Sequence, residues 1–406
     1  MKTIAGNPYL KIKEETIQID LLNLHEIISK YETPIMILLE KRIRNNIKLF
    51  KKVLKRHFRN FESYYSLKAN YLPQVCRVIS DMNIGAEVIG LPEFNVAIEN
   101  GFSPKNMLVG GPYLPDELIY KSIENNVKEI IIYNLNDIPR VNKIAKKFSK
   151  IQNICIRINS SKYGTKLGVE FHKSNINFLK QTLEKAKFIK FTTVLSHYST
   201  QMNSPIQFRK NLFKLSENLK NLENNGIHVK NINLGGGFPE AVVMPEKQLD
   251  MIFTELKKEL EETNISYDKI YFEPGRYFVG DAGLFLAKII NITNDRWIFI
   301  NIGNHICPKF SKCSLRFYNA SRINFAHKYK TSIAGIIPTD QDVLVKDYFF
   351  TKKLSYNDIV MITNVGAYCL TFSNRFPYRL PIILMINNNK SKILFDPKQD
   401  KDFSLY

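Results

Sequence analysis

At 406 residues the chain exceeds one small hydrophobic core and reads as two domains. Its residues are 44 % hydrophobic and 24 % charged, yet no apolar run is long enough to span a bilayer and residues 1–6 lack the apolar stretch of a signal peptide. The net charge of +20 comes without zinc-finger spacing, an RNP-like motif or basic heptads, so nucleic acid is not the expected partner; solvated lysine-rich helix faces explain the charge, with attraction to an acidic protein as the second reading.

In chain order, a strand is expected at 16–19, a short helix at 21–30, an apolar run at 35–39 and a basic helix through 40–57. From residue 61 the pattern is regular. Apolar runs at 61–67, 86–89, 107–109, 129–133, 154–158, 192–196, 232–234 and 270–272 alternate with helical stretches. One such stretch places Phe208, Leu212, Leu215, Leu219 and Leu222 on one face and ends near Gly226. Eight strands alternating with helices predict a (β/α)8 barrel, although an open doubly wound sheet also alternates. Beyond about residue 284, short β-rich runs at 296–301, 342–345, 359–363 and 382–386 predict a separate β-rich domain, a sandwich or barrel. The expected division is therefore 1–33 joining the β domain, 34–283 as the barrel and 284–406 as the C-terminal β domain. Cys76, Cys155, Cys307, Cys313 and Cys369 are odd in number and form no CxxC pair, which suits a reducing, cytoplasmic setting without structural zinc or another metal.

The chemistry-bearing residues fall where barrel strands end. Lys68 closes the first run, either as a solvated strand-end lysine or as a desolvated amine able to form a Schiff base. The seventh run ends in Gly235-Gly236-Gly237, where backbone N–H groups can approach an anion without Cβ obstruction. The eighth ends in Glu273-Pro274-Gly275-Arg276. Glu273 and Arg276 could pair with each other, or Arg276 could meet a phosphate or carboxylate while Glu273 meets a cationic ring nitrogen. His197 and Thr200 follow the sixth run, Arg157 and Asn159 the fifth, and Glu87 lies in the second.

Tyr-x-x-Lys-Ala-Asn (65–70), His-Tyr-Ser-Thr-Gln (197–201), Gly-Gly-Gly (235–237), Glu-Pro-Gly-Arg (273–276) and Gly-Ala-Tyr (366–368), in this order, resemble the fold-type III pyridoxal-phosphate decarboxylases of diaminopimelate, ornithine and arginine. The resemblance runs over nearly the whole chain and implies an alanine-racemase-like architecture with active sites at a homodimer interface. It implies that Lys68 holds pyridoxal 5′-phosphate as a Schiff base. Glu273 would keep the pyridine nitrogen protonated, and His197 would stack on the ring. Thr200, Gly235, Gly236, Gly237, Gly275, Arg276 and Tyr368 would surround the phosphate. In the family a cysteine followed by an acid precedes Gly-Ala-Tyr; the cysteine protonates product across the dimer, and the acid reads the substrate's distal amine. Here Pro338 and Thr339 occupy those places, with Asp340 next and Cys369 as another possible source of a proton. Arg157 is a further substrate-contact candidate.

The expected activity is decarboxylation of an amino acid or an amino-acid-derived intermediate in a specialised biosynthetic pathway. The substrate would be free or borne on an acidic carrier protein. A racemase or epimerase on the same fold and an inactive regulatory homologue are the rival readings; loss of cofactor-holding residues would favour the latter, and this chain keeps them.

Overall fold

The computed structural model describes residues 2–162, 164, 166–308 and 313–400. These divide into two compact units, one holding residues 47–239 and 244–275, the other the described residues up to 46, 240–243 and those from 276 onward.

The first unit is a closed barrel of eight parallel strands: Phe61–Ser66, Gly85–Val88, Met107–Gly110, Glu129–Ile132, Gln152–Arg157, Ile189–Leu195, Asn231–Asn233 and Lys269–Phe272, the last pairing with the first. Each coincides with an apolar run of the sequence. Tyr64, Leu108, Ile131, Cys155, Leu195 and Tyr271 form one buried cluster of the strands, the side-chain filling expected of a barrel. Outside it, Phe50, Phe58, Phe253 and Phe272 interlock through edge-on and tilted contacts, with the centroids of the tilted Phe253 and Phe272 rings 5.3 Å apart. Helix Pro205–Glu223 buries Phe208, Leu212, Leu215, Leu219 and Leu222, as their spacing predicts. Gly226 lies two residues past its cap, with φ of +74°.

In the second unit, Ile35–Leu39 runs antiparallel to Gly283–Ile292 and parallel to Ile382–Asn387 within a nine-stranded sheet. The boundary expected at residue 33 therefore falls before a strand that belongs to this unit. All five residues of that strand are buried, and an unbroken apolar run suits a central sheet strand as well as a barrel strand. A four-stranded antiparallel sheet, Lys2–Ile4, Asn7–Lys13, Thr16–Ile19 and Leu22–Asn23, precedes it. Only its third strand is apparent from the sequence, because Pro8, Lys11 and Lys13 mask the alternation of the second. Among the described residues no helix is long and apolar enough to cross a membrane.

Asp281 ties distant parts of this unit together. Its carboxylate accepts from Arg42 Nη2 at 2.6 Å, Asn46 Nδ2 at 2.7 Å and the Val242 N–H at 2.9 Å, and its carbonyl accepts from Asn7 Nδ2 at 2.8 Å. Removing one partner of a buried ion pair strands the other. Asp281→Ala should therefore lower stability by about 3–5 kcal/mol, read as a lower urea midpoint with an unchanged m-value.

Candidate active site

Lys68 sits in a short 3-10 turn after the first barrel strand, held by Tyr65 Oη donating to the Asn70 carbonyl at 2.8 Å. Gly275 borders this turn; a Cβ there would lie 3.0 Å from the Ala69 methyl. Lys68 is not the desolvated amine that one reading expects. Its side chain is 38 % exposed, and Nζ lies 2.7 Å from Oε2 of buried Glu87.

Glu273 lies buried at the end of the eighth strand. Burial, and then the charge of Glu87, push its carboxyl up to about 7, against the opposing pull of Lys68, Asn233 and Arg157. Asn233 was not apparent as a site residue, yet both ends of its buried amide are used. Nδ2 donates to Glu273 Oε1 at 2.7 Å, and Oδ1 accepts from the Gly235 N–H at 2.8 Å. That N–H is thus committed to the turn itself. Gly235 and Gly237 have φ of +64° and +89°, which suits glycine. Close approach also excludes a side chain: a Cβ on Gly235 would lie 2.9 Å from His197 Nδ1, and one on Gly236 2.3 Å from the Glu273 carbonyl oxygen.

His197 is held at its N–H by Ser160 Oγ at 2.9 Å. Burial, then the Arg157 and Lys68 charges, push its ring down to about 3, so the imidazole is neutral. Arg157 donates from Nη1 to Tyr133 Oη at 3.0 Å, and its Nε is buried with no partner among the described residues. Thr200 is exposed on the loop whose Met202 N–H donates to the Gly237 carbonyl at 2.8 Å.

Arg276 belongs to the second unit. It pairs with buried Glu240 at 3.3 Å rather than with Glu273, and its guanidinium lies 4.8 Å over the Tyr368 ring. Nε and Nη2 of this buried group have no hydrogen-bond partner among the described residues. Tyr368 has a φ of +65°, unusual for a bulky residue and often a mark of function. Cys369 is buried, and contact with Cys307 followed by burial pushes its thiol well up, as befits a small buried hydrophobe. Pro338, Thr339 and Asp340 are exposed in the loop before Val343–Thr351. Buried Asp342 fixes that loop by accepting the Asn304 N–H at 2.6 Å and the Ile337 N–H at 2.7 Å.

Residues 40–280 match the family model described as "Pyridoxal-dependent decarboxylase, pyridoxal binding domain". The chain belongs to this family. The decarboxylase is 24 % identical to diaminopimelate decarboxylase of Methanocaldococcus jannaschii, covering 97 % of this chain and 95 % of that one. It is 26 % identical to L-glutamyl-[BtrI acyl-carrier protein] decarboxylase of Niallia circulans, covering 79 % and 83 %. Its fold matches the crystal structure of the M. jannaschii diaminopimelate decarboxylase with a TM-score of 0.85 at 22 % identity, over 97 % and 96 % of the two chains.

The decarboxylase depends on pyridoxal phosphate, and the residues present fit that group. Within the barrel unit stand an amine, a neutral imidazole and a buried carboxyl; within the second unit, taken by itself, the buried Arg276 guanidinium keeps unused donors. The raised Glu273 carboxyl has a consequence for the cofactor-free protein. Its stabilising contribution is complete below the unfolded value of about 4.5 and is lost as pH rises through about 7. Glu273→Gln should therefore raise the urea midpoint of cofactor-free protein at pH 8 and leave it unchanged near pH 4.

Proposed function

We propose that this pyridoxal-phosphate-dependent carboxy-lyase acts on an α-amino acid borne by an acidic carrier protein, in a specialised biosynthetic pathway, and works as a homodimer. The observation that carries the substrate reading is the segment Pro338-Thr339-Asp340, in which the family resemblance sets proline and threonine opposite the family's cysteine and amine-reading acid. Asp342, the buried acid of the same loop, is occupied by backbone N–H groups. The Niallia circulans relative acts on a glutamyl group held by an acyl-carrier protein, and a net charge of +20 suits an acidic partner. The family resemblance supports the dimer, in which the 338–340 loop would serve the partner's site.

The cofactor, when bound, supplies an electron-withdrawing ring that accepts the electron pair left as CO2 departs. The remaining work falls to the chain. Lys68 would provide the amine that joins the cofactor, with Glu87 at 2.7 Å orienting it. Glu273, held by Asn233, would be the acid that favours a protonated pyridine nitrogen. Neutral His197 can cover the ring without adding charge beside that nitrogen. Within the second unit, Arg276, anchored by Glu240 and lying over the Tyr368 ring, would offer its unused donors to an anionic group such as the phosphate; within the barrel unit, the glycine turn at Gly236 and Gly237 would do the same through backbone N–H groups.

Lys68→Ala should abolish borohydride trapping of cofactor on the chain; label retained at another residue would contradict the assignment. Glu273→Ala should keep cofactor bound and lower kcat by about 100-fold or more, measured as CO2 release. Release from a carrier-loaded amino acid, and not from free diaminopimelate, lysine, ornithine or arginine, supports the substrate reading; release from the free acids alone refutes it.

A further inference from the structure

A solvent-open groove of about 760 Å3 lies at the ends of the third, fourth and fifth barrel strands. We infer that it binds an amide-bearing arm on which the substrate's acyl group is carried, an inference that rests on the tethered-substrate reading above. Its volume is ample for an extended ligand.

Tyr133 and Asn159 connect the groove to the chemistry. The phenol of Tyr133 accepts from Arg157, whose guanidinium lies 5.0 Å over its ring. Tyr133 follows the fourth barrel strand and Arg157 ends the fifth, which pairs with the fourth, so this end of the groove lies at the strand-end face of the barrel from which Lys68 also emerges. Asn159 Oδ1 and Arg157 Nε are buried and lack partners among the described residues. They offer an acceptor and a donor at the inner end of the groove.

The walls extend the same chemistry. Asn134, Asn136 and Asn175 line the groove, with Asn134 and Asn136 exposed, while Val169 and half-exposed Phe178 give it apolar ground. Asn134 Oδ1 already accepts the Asn136 N–H at 3.0 Å and Asn175 Nδ2 donates to the Glu170 carbonyl at 2.8 Å; because each carboxamide both donates and accepts, the row still suits a chain of secondary amides separated by aliphatic carbon. The phosphopantetheine arm of a carrier protein has this make-up; so does a small soluble thioester of the same arm. The distal ammonium of a diamino acid would call for carboxylates, and Glu170 is the acidic residue lining the groove.

The test titrates 4′-phosphopantetheine into pyridoxal-phosphate-loaded protein by calorimetry, with Asn136→Trp and Asn134→Trp as groove-filling variants at exposed positions. Circular dichroism and the cofactor absorption band report that each variant is folded and loaded. Binding to the wild type that weakens at least tenfold in the variants supports the inference. No binding to the wild type, or equal binding to the variants, overturns it. A matched kinetic pair separates the two ligand sources: the variants should raise KM at least tenfold for an aminoacyl-phosphopantetheine and for the same aminoacyl group on its carrier. An increase confined to the carrier-borne substrate would place recognition on the protein surface and overturn the groove. Arm binding in the groove without CO2 release from any thioester would sustain the site and refute the proposed reaction.

Discussion

The active-site architecture depends on one amide. Asn233 spans the space between the glycine turn and the Glu273 carboxylate, donating to the acid and accepting from the Gly235 N–H. A buried carboxyl beside a second acid favours its proton, and a fixed donor offsets part of that cost. Because Asn233 carries no charge, it can stabilise the ionised acid without neutralising it. The same contact braces the turn that leaves room for His197, so the imidazole and the acid are located by a shared support.

A comparable economy of pairing governs Arg276. Glu240 is buried and lies against Nη1, while two further nitrogens of the guanidinium remain without protein partners. A fully satisfied arginine would offer an incoming anion little, and an arginine without Glu240 would be costly to bury. Partial pairing keeps the cation in place and leaves hydrogen-bonding capacity for a ligand. The stacked Tyr368 ring, held on a strained backbone, limits how far the guanidinium can swing.

Much of this was legible in the amino-acid order. The eight barrel strands were visible because each is a short apolar run between amphipathic helices, and Lys68, His197 and Glu273 because each sits at the end of such a run. Ile35–Leu39 carried no mark of its allegiance, since a fully buried strand looks the same in a sheet and in a barrel. Asn233 and Glu240 were hidden for another reason. Their roles arise from contacts 40 and 36 residues away in sequence, and an asparagine in a strand or a glutamate after a glycine turn has no local pattern to announce it. The one available hint was a lone acid at Glu240 within the otherwise apolar stretch that follows Gly237. The loop of Pro338 was legible as a departure from the family, while the anchoring of that loop by Asp342 was not.

The placement of Ile35–Leu39 also constrains how the polypeptide can be made. Its neighbours in the sheet begin at Gly283 and Ile382, so this strand leaves the ribosome long before either partner exists. The barrel residues, by contrast, can begin to pair among themselves as they emerge. For most of synthesis the cell therefore holds a nascent chain with five consecutive apolar residues and an unsatisfied strand edge, a natural target for chaperones and a seed for misassociation. Sheet closure is a late event, governed by sequence separation more than by the stability of the finished fold.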